Sequence, residues 1–157
     1  HIWLPVTEFL STEVYFLESN PDVTLTTPAE VREAVTVAYY DGRNQSIGIS
    51  SGRGFTRNQQ IKPDITAPGI AVEGVLPGNR YVNRSGSSAA AGITAGAVAL
   101  LMEWLVYQLG TLSVDALVVK SLLILGARRE KEIDYPSREW GYGIMDLYNV
   151  FEQVRRF

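Results

Sequence analysis

The stretch that most constrains this chain is Arg84-Ser85-Gly86-Ser87-Ser88-Ala89-Ala90-Ala91-Gly92-Ile93-Thr94-Ala95-Gly96-Ala97-Val98-Ala99-Leu100-Leu101. It passes from small hydroxyl residues and glycine to small apolar residues, then to larger ones. Ser85 or Ser87 is placed to cap a helix, because a short side-chain oxygen accepts hydrogen bonds from the free N–H groups of a first turn. Residues 89–105 read as a helix with small residues almost all round. Such a helix is expected to be buried, with neighbouring elements close to its backbone. A serine in its first turn sits where unpaired N–H groups and the helix dipole favour negative charge. Acyl transfer needs that environment at its nucleophile, since an oxyanion develops beside it. On these residues alone, capping is the commoner use of such serines.

Other segments narrow the reading. Upstream stand Ile47 to Gly54, with Ser50-Ser51-Gly52-Arg53-Gly54, then Ile61-Lys62-Pro63-Asp64-Ile65-Thr66-Ala67-Pro68-Gly69, then Leu76-Pro77-Gly78-Asn79-Arg80-Tyr81. Downstream stands Trp140-Gly141-Tyr142-Gly143-Ile144-Met145-Asp146. With Gly86-Ser87-Ser88-Ala89-Ala90-Ala91, these segments resemble, in order, motifs of the subtilisin-like proteases (subtilases). The resemblance covers about residues 28–157. Each match is short, and together they are specific. Matched residue by residue, Ser88 takes the place of the nucleophile and Ser87 that of the usual Thr. Gly92 stands where the family usually has Pro, and Thr94 near a second, non-catalytic His, which suggests a divergent branch.

The resemblance implies an α/β fold: the C-terminal portion of a subtilisin-like parallel sheet with helices on both faces, preceded by a short β segment. It also implies a serine endopeptidase acting on protein substrates, with Ser88 as nucleophile and the Ser88 N–H as one oxyanion donor. By alignment, Thr26 and Thr27 are candidates for the substrate pocket; otherwise they are residues leading into Pro28. Asp64 is implied to be a structural acid. No cofactor is required. The sequence shows no calcium site, since no acidic cluster has ligand spacing.

A serine nucleophile needs a base, and a third group to orient that base. The only histidine is His1, and it does not match the family's His motif. No Asp matches the Asp motif, and Asn79 and Asn83 are turn and strand residues, not the oxyanion donor. The Asp, the His and the oxyanion Asn are therefore expected on an absent N-terminal part, and residues 1–157 alone are expected to be inactive. Residues 1–20 do not resemble the segment that precedes the match in compact subtilases. They look like the end of an inserted domain, as in the clostridial spore-germination (Csp) branch with its jelly-roll insertion. That gives 1–22 as the end of an inserted β domain and its junction, and 23–157 as the C-terminal part of the catalytic domain. Some members of that branch are inactive, so a catalytically dead signalling or scaffold protein is the alternative. If the resemblance holds, the parent is secreted or spore-associated.

Composition sets the remaining bounds. The chain has 157 residues, 46% hydrophobic and 20% charged, which fits a globular domain. The net charge of −3 comes with no basic block, so nucleic acid is not an expected partner. With no cysteine there is no disulfide and no thiolate metal site. No signal peptide is visible, and the longest uninterrupted apolar runs, 95–102 and 122–125, are too short to cross a bilayer, so no membrane partner is expected. The expected partners are a protein or peptide substrate and the absent N-terminal part. Without the latter, exposed strand edges would favour self-association.

Along the chain, two strands are expected within 1–20 (Ile2, Leu4, Val6, then Val14, Phe16), with a turn near 7–12. One helical turn is expected at 29–33, and strands at 35–40, 45–49, 64–67 and 71–76. A helix from a Ser113 cap would bury Val114, Leu117, Val118, Ser121, Leu122 and Leu125. A last helix from Asp146 to Arg156 would bury Leu147, Val150, Phe151 and Val154.

Overall fold

A computed structural model describes residues 4, 9–11, 14–110 and 113–155. The apolar run from Val35 condenses into strand β1 (Val37–Tyr40), and the run after Asp64 into β2 (Ile65–Pro68). They pair in parallel, Val37 opposite Ile65 and Tyr40 opposite Pro68. Both are buried along most of their length, as parallel strands covered on two faces are. Beyond β2 the sheet continues through single bridges, Thr66 to Ile144 in parallel and Ile144 to Arg128 antiparallel. On the other edge, Tyr39 is closed by the loop after β1. Gly48 N–H donates to Tyr39 O at 2.8 Å, and Tyr39 N–H donates to Ser51 Oγ at 3.2 Å. The strand expected at 45–49 is reduced to one bridge from Ile47 to Tyr40. Gln45 turns the backbone at φ 59, and Gly48 lies against the Tyr39 ring, so no ladder can propagate.

Next come the hairpin β3 (Val72–Leu76) and β4 (Arg80–Arg84), then helices α1 (Ser87–Leu109), α2 (Ala116–Gly126) and α3 (Leu147–Val154). One core cluster joins Ile65 of β2, Leu101 and Leu105 of α1, Val119 and Leu123 of α2, and Val150 of α3. A second joins Tyr40, Trp140 and Ile144, with the Tyr40 and Trp140 rings 5.7 Å apart. The α/β class therefore holds. The described helices share the Ile65 cluster, and the Trp140 loop packs on Tyr40.

The last helix follows its sequence pattern. Asp146 accepts from Asn149 N–H at 2.9 Å as the N-cap. Leu147, Val150, Phe151 and Val154 all enter the core. Helix α2 does not follow its pattern. Its N-cap is Asp115, which accepts from Leu117 N–H, so the helix starts two residues later than a Ser113 cap gives. Its buried residues are Val119, Leu123 and Gly126; of the expected face, Val114 and Leu122 pack partly buried against the core, while Leu117, Val118, Ser121 and Leu125 are exposed. The helix is apolar on most sides, so periodicity could not choose the face. The choice falls to Gly126, where an added Cβ would come within 2.7 Å of Val150 N and which therefore admits α3.

Helix α1 also departs from expectation. Only one stripe is buried, Ala90, Thr94, Ala97, Leu101 and Leu105, against β1 and β2. Ala91, Gly92, Ala95, Gly96 and Ala99 are exposed. The described strands and helices cover only one side, and small side chains cannot shield their own backbone. By length and composition α1 is also apolar enough to cross a membrane, contrary to the reading from uninterrupted runs. Thr94 and Glu103 bound the run at 95–102 without lowering the helix's overall apolarity. Its buried stripe packs on the sheet as that of a core helix does.

Near the start, Val14 and Phe16 belong to no strand and are exposed, because no described strand lies beside them. Residues 29–33 hold turns and bends, not a helical turn. His1, Ile2, Val6 and part of the 7–12 turn lie outside the described residues. From Asp22 on, the chain is tied to the body. Thr24 N–H donates to Arg53 O at 2.9 Å, and Arg138 reaches Gly54 O at 3.0 Å while stacking over Phe55.

Candidate active site

The end of β2 and the start of α1 form one unit. After Pro68, Gly69 passes between Tyr39 and the serine turn. An added Cβ there would meet Tyr39 Cβ at 2.6 Å and Gly86 O at 3.0 Å. No side chain fits that gap, so only glycine brings these two pieces of backbone together. Gly69 O accepts from Gly86 N–H at 2.7 Å, and Ser85 Oγ accepts from Ala71 N–H at 2.9 Å. Beneath the turn, Ala90 packs fully buried on Tyr39 and Ala67. Small residues at 67, 69 and 90 thus seat the helix start directly on the ends of β1 and β2.

The capping expectation is corrected here. The N-cap is Gly86, at φ 133, and no side chain caps the helix. Ser85 is spent on the latch to Ala71, and Ser87 is exposed. Ser88 is the second residue of α1 and is exposed. Its main-chain N–H is among those that a helix's own carbonyls cannot satisfy. The first turn holds no acidic residue, so the dipole there is uncompensated by side chains. Among the described residues the Ser88 hydroxyl makes no hydrogen bond and has no base beside it, and His1 lies outside the described residues.

The structure does not bring Thr26 and Thr27 into one cavity with Ser88. Both are exposed, on a groove of about 1380 Å³ that Leu25, Glu30, Phe55 and Arg57 also line and that includes no residue of the serine turn. Thr27 Oγ1 donates to Glu30 Oε1 at 2.6 Å, and this bond, with one from its own backbone, lowers the Glu30 pKa.

Asp64, the implied structural acid, occupies the other end of β2. Its Oδ2 accepts from Thr36 N–H and from Lys62 Nζ, each at 2.7 Å, and Lys120 Nζ stands 3.4 Å from Oδ1. Asp64 and Lys62 are almost wholly buried. Burial pushes the Lys62 pKa down against the pull of Asp64, and the neighbouring Lys120 pushes it the same way. Asp64 O also receives Tyr142 N–H at 2.9 Å. The tightness of that contact explains the Gly-x-Gly spacing. Gly141 sits at φ 58 with Pro63 O where a Cβ would be, and Gly143 at φ 137 against Arg128 O. Sequence reading missed the roles of Ser85 and Gly69. Only the Pro-Gly after a buried strand signalled either of them.

A family model described as the subtilase family, peptidase S8, matches residues 13–143. The solved CspB protease of Clostridium perfringens is 31% identical, with a TM-score of 0.84 over 90% of this chain and 31% of that one. The patellamide maturation protease PatA is 27% identical, with a TM-score of 0.69 over 87% of this chain and 48% of that one. The C5a peptidase of Streptococcus pyogenes serotype M18 is 32% identical over 87 residues, 55% of this chain and 7% of that protein. The chain thus spans under half the length of each of these relatives.

Proposed function

The chain belongs to the subtilase family, and on that premise we propose that it carries the nucleophile of a serine endopeptidase acting on protein substrates. The observation that supports this best is the seating of Ser88. It is exposed in the first turn of a long helix, on a turn held to β2 by main-chain bonds. Such a serine can attack a peptide carbonyl while its own N–H donates to the developing oxyanion. A histidine takes the hydroxyl proton and returns it to the leaving amine, and an aspartate orients that histidine. In this proposal the Asp, the His and the oxyanion Asn come from an N-terminal part beyond these 157 residues. Residues 1–22 are the end of an inserted β domain, and Thr26 and Thr27 belong to the pocket for the side chain before the cut.

Ser88→Ala in the full-length protein should lower kcat on the order of 10⁶-fold, the scale known for the serine of subtilisin, itself a member of this family. Its melting point should stay unchanged, since Ser88 is exposed. A serine without its histidine and aspartate is inert, so the second reading is a catalytically inactive signalling or scaffold protein. A fluorophosphonate probe separates the two. Labelling of full-length protein that is lost in Ser88→Ala establishes the peptidase, and unlabelled, well-folded full-length protein establishes the other.

A further inference from the structure

The N-terminal end of β2 opens into a pocket of about 380 Å³ lined by Arg32, Gln60, Lys62, Asp64, Lys120 and Tyr142, among others. Asp64 is the one carboxylate among the lining residues, against the cations Arg32, Lys62 and Lys120. It is already fully engaged by Thr36 N–H, Lys62 and Lys120. Arg129 adds to the imbalance, since it donates to Ile124 O and Tyr142 O, both of which belong to pocket-lining residues. The lining therefore carries a net excess of two positive charges: Lys120, mostly buried, shares Asp64 with Lys62, and Arg32 is exposed. Charge taken out of water is ordinarily paired. Among the described residues no carboxylate pairs with Arg32.

We infer that this pocket is a binding site for a small, multiply charged oxyanion of the phosphate class, held between Arg32 and Lys120 over the Lys62–Asp64 pair. The Arg32 guanidinium offers a planar fork suited to two oxygens of such an anion. Lys120 donates to Arg32 O, which fixes the ammonium beside the same segment. A dianion matches the excess of two charges, which a single carboxylate would leave half unmet. The site does not rest on the peptidase reading. Asp64 and Gly69 flank β2 at opposite ends, roughly 16 Å apart at the rise of an extended parallel strand.

The test is the melting midpoint of the full-length protein in inorganic phosphate, against chloride and acetate at equal ionic strength, with calorimetric titration of phosphate. A site with a dissociation constant of about 1 mM raises the unfolding free energy in 10 mM phosphate by the equivalent of about an elevenfold change in the folding equilibrium. Chloride and acetate should not reproduce it. Arg32→Gln is a surface change that should leave the phosphate-free melt as it is, and it should abolish the response; Lys120→Gln should weaken it. An equal response to chloride overturns the site, and so does a phosphate response retained in both variants.

Discussion

The two ends of β2 do their work by opposite means. At the C-terminal end the serine turn is held by backbone and by the absence of side chains: Gly69 against Tyr39, Gly86 N–H on Gly69 O, and Ala90 on Ala67. At the N-terminal end the chain is held by buried charge, with Lys62 and Lys120 converging on Asp64 and Thr36 N–H completing its shell. A reacting serine gains from the first design, because fixed N–H dipoles at a helix start need no counter-charge that a substrate would have to displace. The second design ties α2 to segments 34–36 and 62–64 at the point where the β1–β2 ladder begins. One end should therefore fail sterically and the other electrostatically.

The largest expected effect lies at the charged end. Asp64→Ala leaves Lys62 buried with Ala34 O as its remaining acceptor, and should cost about 3–5 kcal/mol of stability. The paired change Lys62→Met with Asp64→Leu should recover part of that loss, because the desolvation of Lys62 and Asp64 disappears together while Lys120 and Thr36 N–H still lose their acceptor. Denaturant unfolding of the two variants checks it. If the double variant is as unstable as the single one, packing and not charge holds this end, and the contrast between the ends dissolves.

Gly69→Ala is the matching steric test. The new methyl would overlap Tyr39 Cβ and Gly86 O, both on backbone or its first side-chain atom, so neither can swing away. Overpacking of this kind costs about 1–3 kcal/mol. The turn carrying Ser88 must also move, so activity per folded molecule should fall well beyond what the stability loss explains. A Gly69→Ala protein with full fluorophosphonate labelling would show that the serine turn does not depend on this contact.

These two ends were unequally legible in the sequence. The motif order from Lys62 to Gly69, then Ser88, then Trp140 to Asp146, identified the family. The amphipathic last helix was readable because Leu147, Val150, Phe151 and Val154 recur on a single face. Helix α2 was not, since apolar residues lie on most of its sides and packing on Val150 through Gly126 decides which of them are buried. The all-small helix α1 announced that something must pack around it, but not what, and the described residues cover only its Ala90-to-Leu105 stripe. Ser85 looked like a cap and is a latch, because the bond that claims its hydroxyl comes from Ala71, across a hairpin whose register a local pattern cannot fix. The Lys62–Asp64–Lys120 cluster joins residues far apart in the chain, so only Asp64 was visible, and only through the resemblance.

The smallest effect tests whether any charge matters at the serine end. Asp41 follows β1, whose last residue, Tyr40, lies opposite Pro68. Arg43 Nε donates to Asp41 Oδ1 at 2.9 Å, its second nitrogen donates to Oδ2 at 2.7 Å, and Arg43 N–H reaches Oδ1 at 3.0 Å. The Arg43 guanidinium, with a lesser part from that N–H, lowers the Asp41 pKa from 3.8 to about 2. A carboxylate whose pKa is lower folded than unfolded stabilises the fold above the unfolded value. That contribution is lost as pH falls from 3.8 through about 2. The Arg43 side chain is mostly exposed, so solvent and salt screen the pair and the stability at neutral pH should hardly change in Arg43→Gln. The carboxyl titration, followed by NMR, should instead move up toward 3.8, and the acid limb of the stability curve should move with it. If Asp41 still titrates near 2 without the guanidinium, main-chain N–H groups hold this carboxylate too. The serine end would then be fixed by backbone even where it carries charge.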